Sequence, residues 1–230
     1  MTAKEFISYY EYLTPFFKTL ILHNESVVGP EAFQQFLGDV EILLNENRDK
    51  LLKASPGAER ARVLHALIER EVKQADSIPT SCKMGCSACC HLEVEVTPDE
   101  ASLLADIIEA GHPVDKERME LQSQRKRQDP SWLLGVAANN RCVFLGDSGA
   151  CSIYESRPSI CRKHSVVSPA ENCLSAKEPP VVRNVPLAEI ALSSAIDLVE
   201  GRVGPLAAMV LKELRQRRLS QAQHLSVVPE

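Results

Sequence analysis

The stretch Cys82-Lys-Met-Gly-Cys86-Ser-Ala-Cys89-Cys90 places four thiols within nine residues of a 230-residue chain. A second group begins 52 residues after Cys90 and contains the remaining four cysteines: Cys142, Cys151, Cys161 and Cys173. Proteins gather thiols this closely mainly to bind metal or to form disulfides. The choice between these two chemistries therefore determines how the middle of the chain is held together.

Metal binding is the better interpretation because the sequence has the features of a cytoplasmic protein. The N-terminus carries Lys4, Glu5 and Glu11 and shows no apolar signal-peptide region. No segment approaches the run of about 18 apolar residues that a membrane span needs. In a reducing compartment, clustered thiols serve metal or redox chemistry. We therefore expect a cytoplasmic protein with no membrane partner, and a disulfide framework is the alternative.

The charge balance argues against a nucleic-acid partner. The formal net charge is -5 and the calculated isoelectric point is about 5.8. Arg125-Lys126-Arg127 is the one dense basic run, and its surroundings indicate a solvated helix face. A nucleic-acid surface needs a wider basic stripe on a basic domain. A zinc-dependent adaptor that binds nucleic acid or protein stays as an alternative.

Hydrophobic periodicity predicts a mainly α fold with a small, irregular, cysteine-rich β and loop segment. With 44% hydrophobic residues, the chain can bury a core without covalent links. We expect an N-terminal helical region over 1–78, a cysteine-cluster metal-binding domain over 79–178, and C-terminal helices over 179–230 that pack on the rest.

Apolar residues at three- and four-residue steps mark the individual helices. The first stripe runs from Phe6 to Ile21, and Pro15 is expected to kink or divide it. A later helix is expected to begin at Ser55-Pro56, where serine would cap it and proline would occupy its first turn. The other predicted helices cover residues 30–53, 115–128, 187–200 and 205–219.

The segment around the cysteines carries signals for short elements. Thr97-Pro98-Asp99-Glu100 has the residues of a capping box, and the helix that it starts should stop at Gly111. Alternating apolar and acidic residues predict a half-buried strand over 92–96. Residues 141–154 resemble a hairpin with a glycine-containing loop.

The cysteine spacing limits how metals can be shared. Cys82-x3-Cys86-x2-Cys89 can present three thiolates from one loop to a common centre. Neighbouring side chains of an extended segment point to opposite sides, so Cys89 and Cys90 should serve different metal atoms. Two sites, or one polynuclear site, follow from this spacing, and eight thiols suffice for two closed four-coordinate sites.

Several polar residues could support the thiolates. Arg157 and Arg162 are expected to donate to them, because four thiolates around a divalent ion leave a net negative charge. His91 and His164 could ligate metal directly, or could be hydrogen-bonded polar residues.

A cluster of the radical S-adenosylmethionine type is the sharper enzymatic possibility that the Cys-x3-Cys-x2-Cys spacing raises. Ala88 stands where an aromatic residue usually precedes the last cysteine, and alternating strands and helices do not follow. Membership of that superfamily is therefore not expected.

Together, the two cysteine groups resemble a known family. The first group, the Thr-Pro-Asp-Glu helix start, Cys142-Val-Phe-Leu, and the run from Cys151 through Arg157-Pro158 to Cys161-Arg162 occur in the order seen in the YkgJ-type cysteine-cluster family. This resemblance covers about residues 80–175 and implies a zinc- or iron-chelating domain that uses eight cysteines. All eight are predicted ligands: Cys82, Cys86, Cys89, Cys90, Cys142, Cys151, Cys161 and Cys173.

Three functions follow from these predictions. The first is a metal-binding protein that holds zinc or iron, since four thiolates suit both metals. The second, which the resemblance implies through relatives linked to flagellin lysine N-methylation, is an iron–sulfur enzyme whose catalytic residues are unknown. The third is the zinc-dependent adaptor, which would have a protein partner.

Overall fold

The computed structural model describes residues 1–83, 85–175 and 177–226, without the side chains of 136–138 and 224–226. Helix accounts for 61% of the structure and strand for 4%, which confirms the predicted mainly α class. Within the described residues, no helix combines the length and the apolar character needed to cross a membrane.

The α-helices are, in chain order, α1 (Ala3–Tyr9), α2 (Pro15–Val27), α3 (Pro30–Leu52), α4 (Ala58–Gln74), α5 (Pro98–Glu109), α6 (Lys116–Ser123), α7 (Ser159–Lys163), α8 (Pro186–Leu198) and α9 (Leu206–Ser226). The strands β1 (Glu95–Val96) and β2 (Gly204–Pro205) pair antiparallel. Short 3-10 turns cover Ala88–His91, Pro130–Ala138, Tyr154–Ser156 and Ala170–Leu174.

Local signals placed two helix starts correctly. Pro15 divides the first apolar stripe, because it is the first residue of α2, and the Thr14 side chain accepts a hydrogen bond from the Phe17 N–H. The predicted capping box at α5 is also present. The Thr97 hydroxyl accepts from the Glu100 N–H, and the Glu100 carboxylate accepts from the Thr97 N–H.

The predicted Ser55-Pro56 start of α4 is wrong. The helix begins at Ala58, after Gly57, whose φ of +98° suits glycine. No side chain of the α4 segment caps this end. Instead, the Gly57 N–H donates to Asp99 Oδ1 at 2.6 Å, so a residue of α5 supplies the acceptor. A distant partner of this kind leaves no local signal in the sequence.

Three other elements are shorter than predicted. Only Glu95 and Val96 of the expected 92–96 strand form a ladder, because their partner is two residues long and includes Pro205, which has no N–H to donate. The predicted 115–128 helix ends at Ser123. The expected hairpin over 141–154 is reduced to one antiparallel bridge between Leu145 and Cys151.

Buried apolar side chains form three clusters that the C-terminal helices help to cover. α8 packs against α3 and α4, whereas α9 packs against α5 and α6. The cluster under α9 is built from β1, α5 and residues 143–153, and Cys142 and Cys151 lie against its edge. This cluster therefore supports part of the cysteine segment, while the domain limits at 78 and 178 stay a prediction.

Candidate metal centre

The first cysteine group lies on a tight turn followed by a 3-10 turn. The Cys86 N–H donates to the Lys83 carbonyl at 3.0 Å, and Gly85 has a φ of +85°. Cys89 and Cys90 lie on the turn Ala88–His91, and the Cys90 N–H donates to the Ser87 carbonyl at 2.9 Å. The backbone therefore folds back on itself around these thiols.

Backbone contacts bring the second group against the first. The Cys142 N–H donates to the Cys90 carbonyl at 2.8 Å. In the loop before Cys151, Gly149 has a φ of +78°, and a Cβ at this position would lie 3.2 Å from the Gly85 carbonyl oxygen. The two cysteine loops therefore touch, although Cys142 lies 52 positions after Cys90 in the sequence.

Cys161 is positioned by a buried acid. It lies on α7, whose first N–H, from Ser159, donates to Glu100 Oε1 at 2.7 Å. The same oxygen lies 3.2 Å from His65 Nε2 on α4. Burial raises the pKa of Glu100, but its hydrogen bonds from His65, Ser159 and Thr97 outweigh this and hold the pKa below its ordinary value. The charged carboxylate thus fixes the start of α7.

The outermost cysteines, Cys82 and Cys173, have contacts of their own within the segment. The Val166 N–H donates to Cys82 Sγ at 3.4 Å, and the Ser81 N–H donates to the Val166 carbonyl at 2.9 Å. Cys173 lies on the turn Ala170–Leu174, which contacts the turn that carries Cys89 and Cys90.

The Cys89 and Cys90 side chains are hydrogen-bonded to each other, and this contact shifts the pKa of both thiols. The hydrogen bond from Cys90 lowers the pKa of Cys89 to about 7, with burial opposing it and Arg157 assisting. The same hydrogen bond raises the pKa of Cys90, and burial and the nearby Cys89, Cys142 and Cys161 raise it further. These thiols therefore share one electrostatic environment.

Burial is the main cause of the remaining shifts. It raises the pKa of Cys142 to about 11 and also raises the pKa of Cys161, with neighbouring thiols adding to both. It raises the pKa of Cys151 as well, against the opposing charge of Arg157. The pKa of Cys173 rises first through burial and then through Cys86, Cys82 and Cys89, in that order.

All eight cysteines are free thiols, so the structure contains none of the disulfides of the alternative interpretation. Within the described residues, no group of three or more His, Cys, Asp or Glu side chains is arranged so that it could hold a metal ion. The loops bring the two groups into contact, but they do not bring the sulfurs into a coordination shell. The ligand set of eight thiols therefore stays a prediction. As a donor set, clustered thiols suit zinc or iron.

The histidines differ in their surroundings. His91 Nδ1 lies 3.1 Å from the Ser87 carbonyl oxygen, so this ring has a hydrogen-bond partner on the cysteine turn itself. Burial, followed by the charge of Lys163, lowers the pKa of His164, which keeps that ring neutral. Whether either ring ligates metal stays a prediction.

Arg157 and Arg162 also differ. The Arg157 guanidinium lies 3.9 Å from the centre of the Tyr154 ring, and its charge lowers the pKa of Cys89 and Cys151. The described hydrogen bonds of Arg162 go to Glu69 and to backbone carbonyls of residues 155 and 157, and none goes to a thiol. Arg157 therefore supplies charge to the site, while Arg162 holds the loop before α7.

Residues 81–180 match a family of metal-chelating domains. The family model is named CxxCxxCC and described as "Putative zinc- or iron-chelating domain". The match includes every cysteine of the chain, spans 100 of its 230 residues, and confirms the resemblance predicted from the two cysteine groups. It indicates zinc or iron chelation for this segment. No curated protein and no solved structure matched the chain.

Sequence reasoning missed the role of Glu100 and His65 in this centre. Glu100 was recognised as part of a capping box, but its hydrogen bond to Ser159 joins residues 59 positions apart. His65 carried no signal beyond its place among the apolar residues of α4. Polar residues on the buried face of a predicted helix are the one clue that could have drawn attention to such a pair.

Proposed function

We propose that this protein binds two metal ions, zinc or iron, in two four-thiolate sites that hold the segment 79–178 together in a cytoplasmic protein. The first site consists of Cys82, Cys86, Cys89 and Cys173. The second consists of Cys90, Cys142, Cys151 and Cys161. The observation that carries the proposal is the contact between the loops that carry the cysteines: the Cys142 N–H donates to the Cys90 carbonyl, and the turn that carries Cys173 contacts the turn that carries Cys89 and Cys90.

The first site is supported by sequence spacing and by Cys173. Cys86 and Cys89 are three positions apart on consecutive turns, and this is a common ligand spacing for zinc. The pKa of Cys173 responds, after burial, to Cys86 and Cys82 before any other thiol. The 170–174 turn, which carries Cys173, contacts the 88–91 turn, which carries Cys89.

The second site is supported by the contacts of Cys90 and Cys142. The Cys142 N–H donates to the Cys90 carbonyl, and the pKa of Cys90 is raised by its hydrogen bond with Cys89, by burial, and then by Cys142 and Cys161. Burial raises the pKa of Cys161 most, followed by Cys142, Cys89 and Cys151 in that order, so Cys89 acts on this group as well. Cys89 and Cys90 lie on a 3-10 turn rather than in the extended segment predicted from the sequence, so their division between two sites is part of the proposal and does not follow from their adjacency.

Metal binding must accomplish two things at these positions. It must draw the sulfurs closer than they lie in the structure, and it must take thiols whose pKa is raised by burial and hold them as thiolates. Arg157 assists the second step because its positive charge favours the thiolate forms of Cys89 and Cys151. A closed four-thiolate zinc site has no open position, so its role is structural.

An iron–sulfur centre is the second candidate, and the position of Cys89 favours it. This thiol influences Cys90, Cys142 and Cys161 on one side and Cys173 on the other. One polynuclear cluster could therefore span both groups. A cluster with an open iron position would allow catalysis, including the protein lysine N-methylation that the resemblance implies, whereas closed zinc sites would fit the adaptor alternative.

Elemental analysis of protein isolated without air tests these candidates directly. Two metal atoms per chain, without acid-labile sulfide, are expected for the two-site arrangement. Acid-labile sulfide and a brown colour would replace it with the iron–sulfur candidate. A chain that retains no zinc or iron under these conditions would contradict both. Nucleic-acid binding that weakens steeply with salt would be the mark of the adaptor alternative.

Serine substitutions test the division into two sites. Cys173→Ser should remove the first metal and leave the second, whereas Cys161→Ser should do the reverse, since a four-coordinate thiolate site loses affinity with one ligand. Each variant is expected to retain one metal per chain. Ser87→Ala, between Cys86 and Cys89 in the same loop, serves as the control and should retain both. Loss of all metal from either cysteine variant would contradict independent sites.

A further inference from the structure

A cavity of about 290 Å³ adjoins the cysteine segment but contains none of its thiols. Its wall is formed by the α1–α2 connection, β1, the start of α5, α7 and α8. Residues of the turn at 201–203 complete the lining. Its size is near the lower limit of small-molecule pockets. The cavity therefore has room for a compact ligand rather than for a nucleotide or another large cofactor.

Most of the cavity wall is apolar. The side chains come from separate parts of the chain, which makes the cavity a product of the tertiary fold. The main apolar contributors are Leu13, Phe16, Val96, Ile160, Leu192 and Ile196. A hydrocarbon body would leave water on entering such a space, and this transfer is favourable.

Glu189 on α8 provides the polar feature of this wall. The residue is only 6% exposed, and its Oε1 accepts a hydrogen bond from Lys163 Nζ at 2.6 Å. Its other oxygen, Oε2, is buried, and no donor among the described residues reaches it. Buried acceptors normally have a partner. Glu189 lines the cavity, so a donor bound there could supply the missing partner while Lys163 keeps its bond to Oε1.

The charged groups of the lining largely neutralise one another, and the surplus carboxylate, Glu11, is exposed. Arg127 is paired with Glu95, Lys163 with Glu189, and Lys18 with a backbone carbonyl. The full set of charged lining residues is Glu11, Glu95, Glu100 and Glu189 against Lys18, Arg127 and Lys163. The preference for a cation therefore comes from Glu189, because the acceptor that lacks a donor belongs to a carboxylate.

We propose that this cavity binds a small aliphatic amine, with the ammonium donating to Glu189 and the hydrocarbon packed against the apolar wall. Ile160 and Lys163 lie on the same short helix as Cys161, so the ligand would sit against the helix that carries a predicted metal ligand. The proposal depends on the cavity and on Glu189, and it does not depend on metal occupancy.

Three probes of one shape and different charge test the proposal on the full chain. Cyclohexylamine is cationic, cyclohexanol is a neutral donor, and cyclohexanecarboxylate is an anion. Binding measured by NMR titration should be clear for the amine, weaker for the alcohol and absent for the carboxylate. Equal binding of amine and alcohol, preference for the carboxylate, or no binding of any probe would overturn the proposal. The last result would mean that water alone satisfies Glu189.

Substitutions locate the bound amine. Glu189→Gln should weaken cyclohexylamine binding about tenfold, because a charge-assisted hydrogen bond becomes a neutral one. Glu11→Gln makes the same chemical change at an exposed rim position and should alter binding less than about twofold. Val203→Phe should abolish binding by filling the cavity without altering the Lys163–Glu189 pair.

Circular dichroism and metal content of each variant show whether it has folded. If Glu189→Gln fails to fold, the probe series and Val203→Phe decide the question without it. Unchanged amine binding in a folded Val203→Phe variant would overturn the location.

Discussion

Glu100 shows how one side chain can serve several purposes at the residue scale. It closes the capping box of α5 through Thr97, pairs with His65 on α4, and accepts the first N–H of α7 from Ser159. The residue is 2% exposed, so few of these groups could turn to water instead. Its charge therefore ties three helices together directly beside Cys161.

Replacing this charge should destabilise the fold in a pH-dependent way. Glu100→Gln retains the shape, but its single carbonyl oxygen cannot accept from both the Ser159 and Thr97 N–H groups. We expect a loss of roughly 2 kcal/mol in the free energy of unfolding at pH 7, the cost of a buried unsatisfied group. The measurement is denaturant unfolding over a pH series.

The sign of the pH effect follows from the lowered pKa of Glu100. The carboxylate stabilises the fold above its ordinary pKa of 4.5, and this contribution is lost as the pH falls through the lower folded-state value. The difference between wild type and Glu100→Gln should therefore shrink below pH 4.5. The exposed Glu46→Gln should show little effect. A difference that stays constant down to complete acid unfolding would contradict this account.

At the scale of elements, the junction between α4 and α5 depends on a cap supplied from outside the helix. Asp99 accepts from the Gly57 N–H and forms an ion pair with Arg60, at 2.6 Å from the Arg60 Nε. Both side chains of this pair are largely buried. Asp99 therefore accepts the backbone hydrogen bond at the start of α4 and balances the positive charge of Arg60 in the first turn of that helix.

Truncation of Asp99 should separate these two effects. Asp99→Ala is expected to lower the free energy of unfolding by about 3 kcal/mol, because it leaves Arg60 as a buried charge without its partner. Asp99→Asn retains an oxygen for the Gly57 N–H, so its loss should be smaller. Thermal or denaturant unfolding measures both. An alanine variant as stable as wild type would show that water replaces the carboxylate.

The contact between the two cysteine loops can be tested with a pair of glycines. Gly149 and Gly111 both have positive φ values, +78° and +96°, but only Gly149 approaches another backbone, at Gly85. Alanine at either position should cost about 1 kcal/mol through backbone strain. Only Gly149→Ala should also reduce metal retention, because its Cβ pushes the two loops apart.

Metal retention during dialysis against a chelator distinguishes the two glycine variants. Gly111→Ala is the matched control for backbone strain, since nothing lies within 4 Å of its added Cβ. Equal metal retention in both variants would show that the approach of Gly149 to Gly85 does not support the site.

At the scale of the whole molecule, apolar burial is unevenly distributed. α1 to α4 and α8 share two buried clusters, and α5, α6 and α9 share the third with residues 143–153. Of the described residues between 82 and 92, none contributes a side chain to these clusters, and the cysteines among them are only partly buried or exposed. A bound metal would supply the stability that such a segment lacks.

Chelation should therefore loosen the protein locally rather than unfold it. Hydrogen exchange of the Cys142 and Val166 amides, which donate to groups of the first cysteine loop, should become faster when metal is removed. Amides of α3 and α8 should keep their protection, because their buried contacts do not involve the cysteines. Mass spectrometry of peptides from the exchanged protein measures this. A uniform increase in exchange along the chain would contradict local loosening.

Much of the architecture and the chemical class of the site were predictable from local patterns. Apolar periodicity identified the helices, Pro15 and the Thr97 capping box marked two of their starts, and the cysteine spacing indicated metal. The extents of short elements were not predictable, since β1 and the 145–151 bridge end where their partners end. Local propensity sets which structure a segment prefers, whereas its partner sets how far that structure extends.

By itself, the sequence determined the mainly α class, the cysteine-cluster resemblance and zinc or iron as the expected metals, because these depend on residue type and on spacing over a few positions. Only the tertiary structure decided that Asp99 would cap α4, that Glu100 would anchor α7, and that the Gly85 and Gly149 loops would meet. The reason is physical: a hydrogen bond or a close backbone approach between distant residues exists only after the chain has closed the loop between them, and local sequence preferences carry no record of that closure.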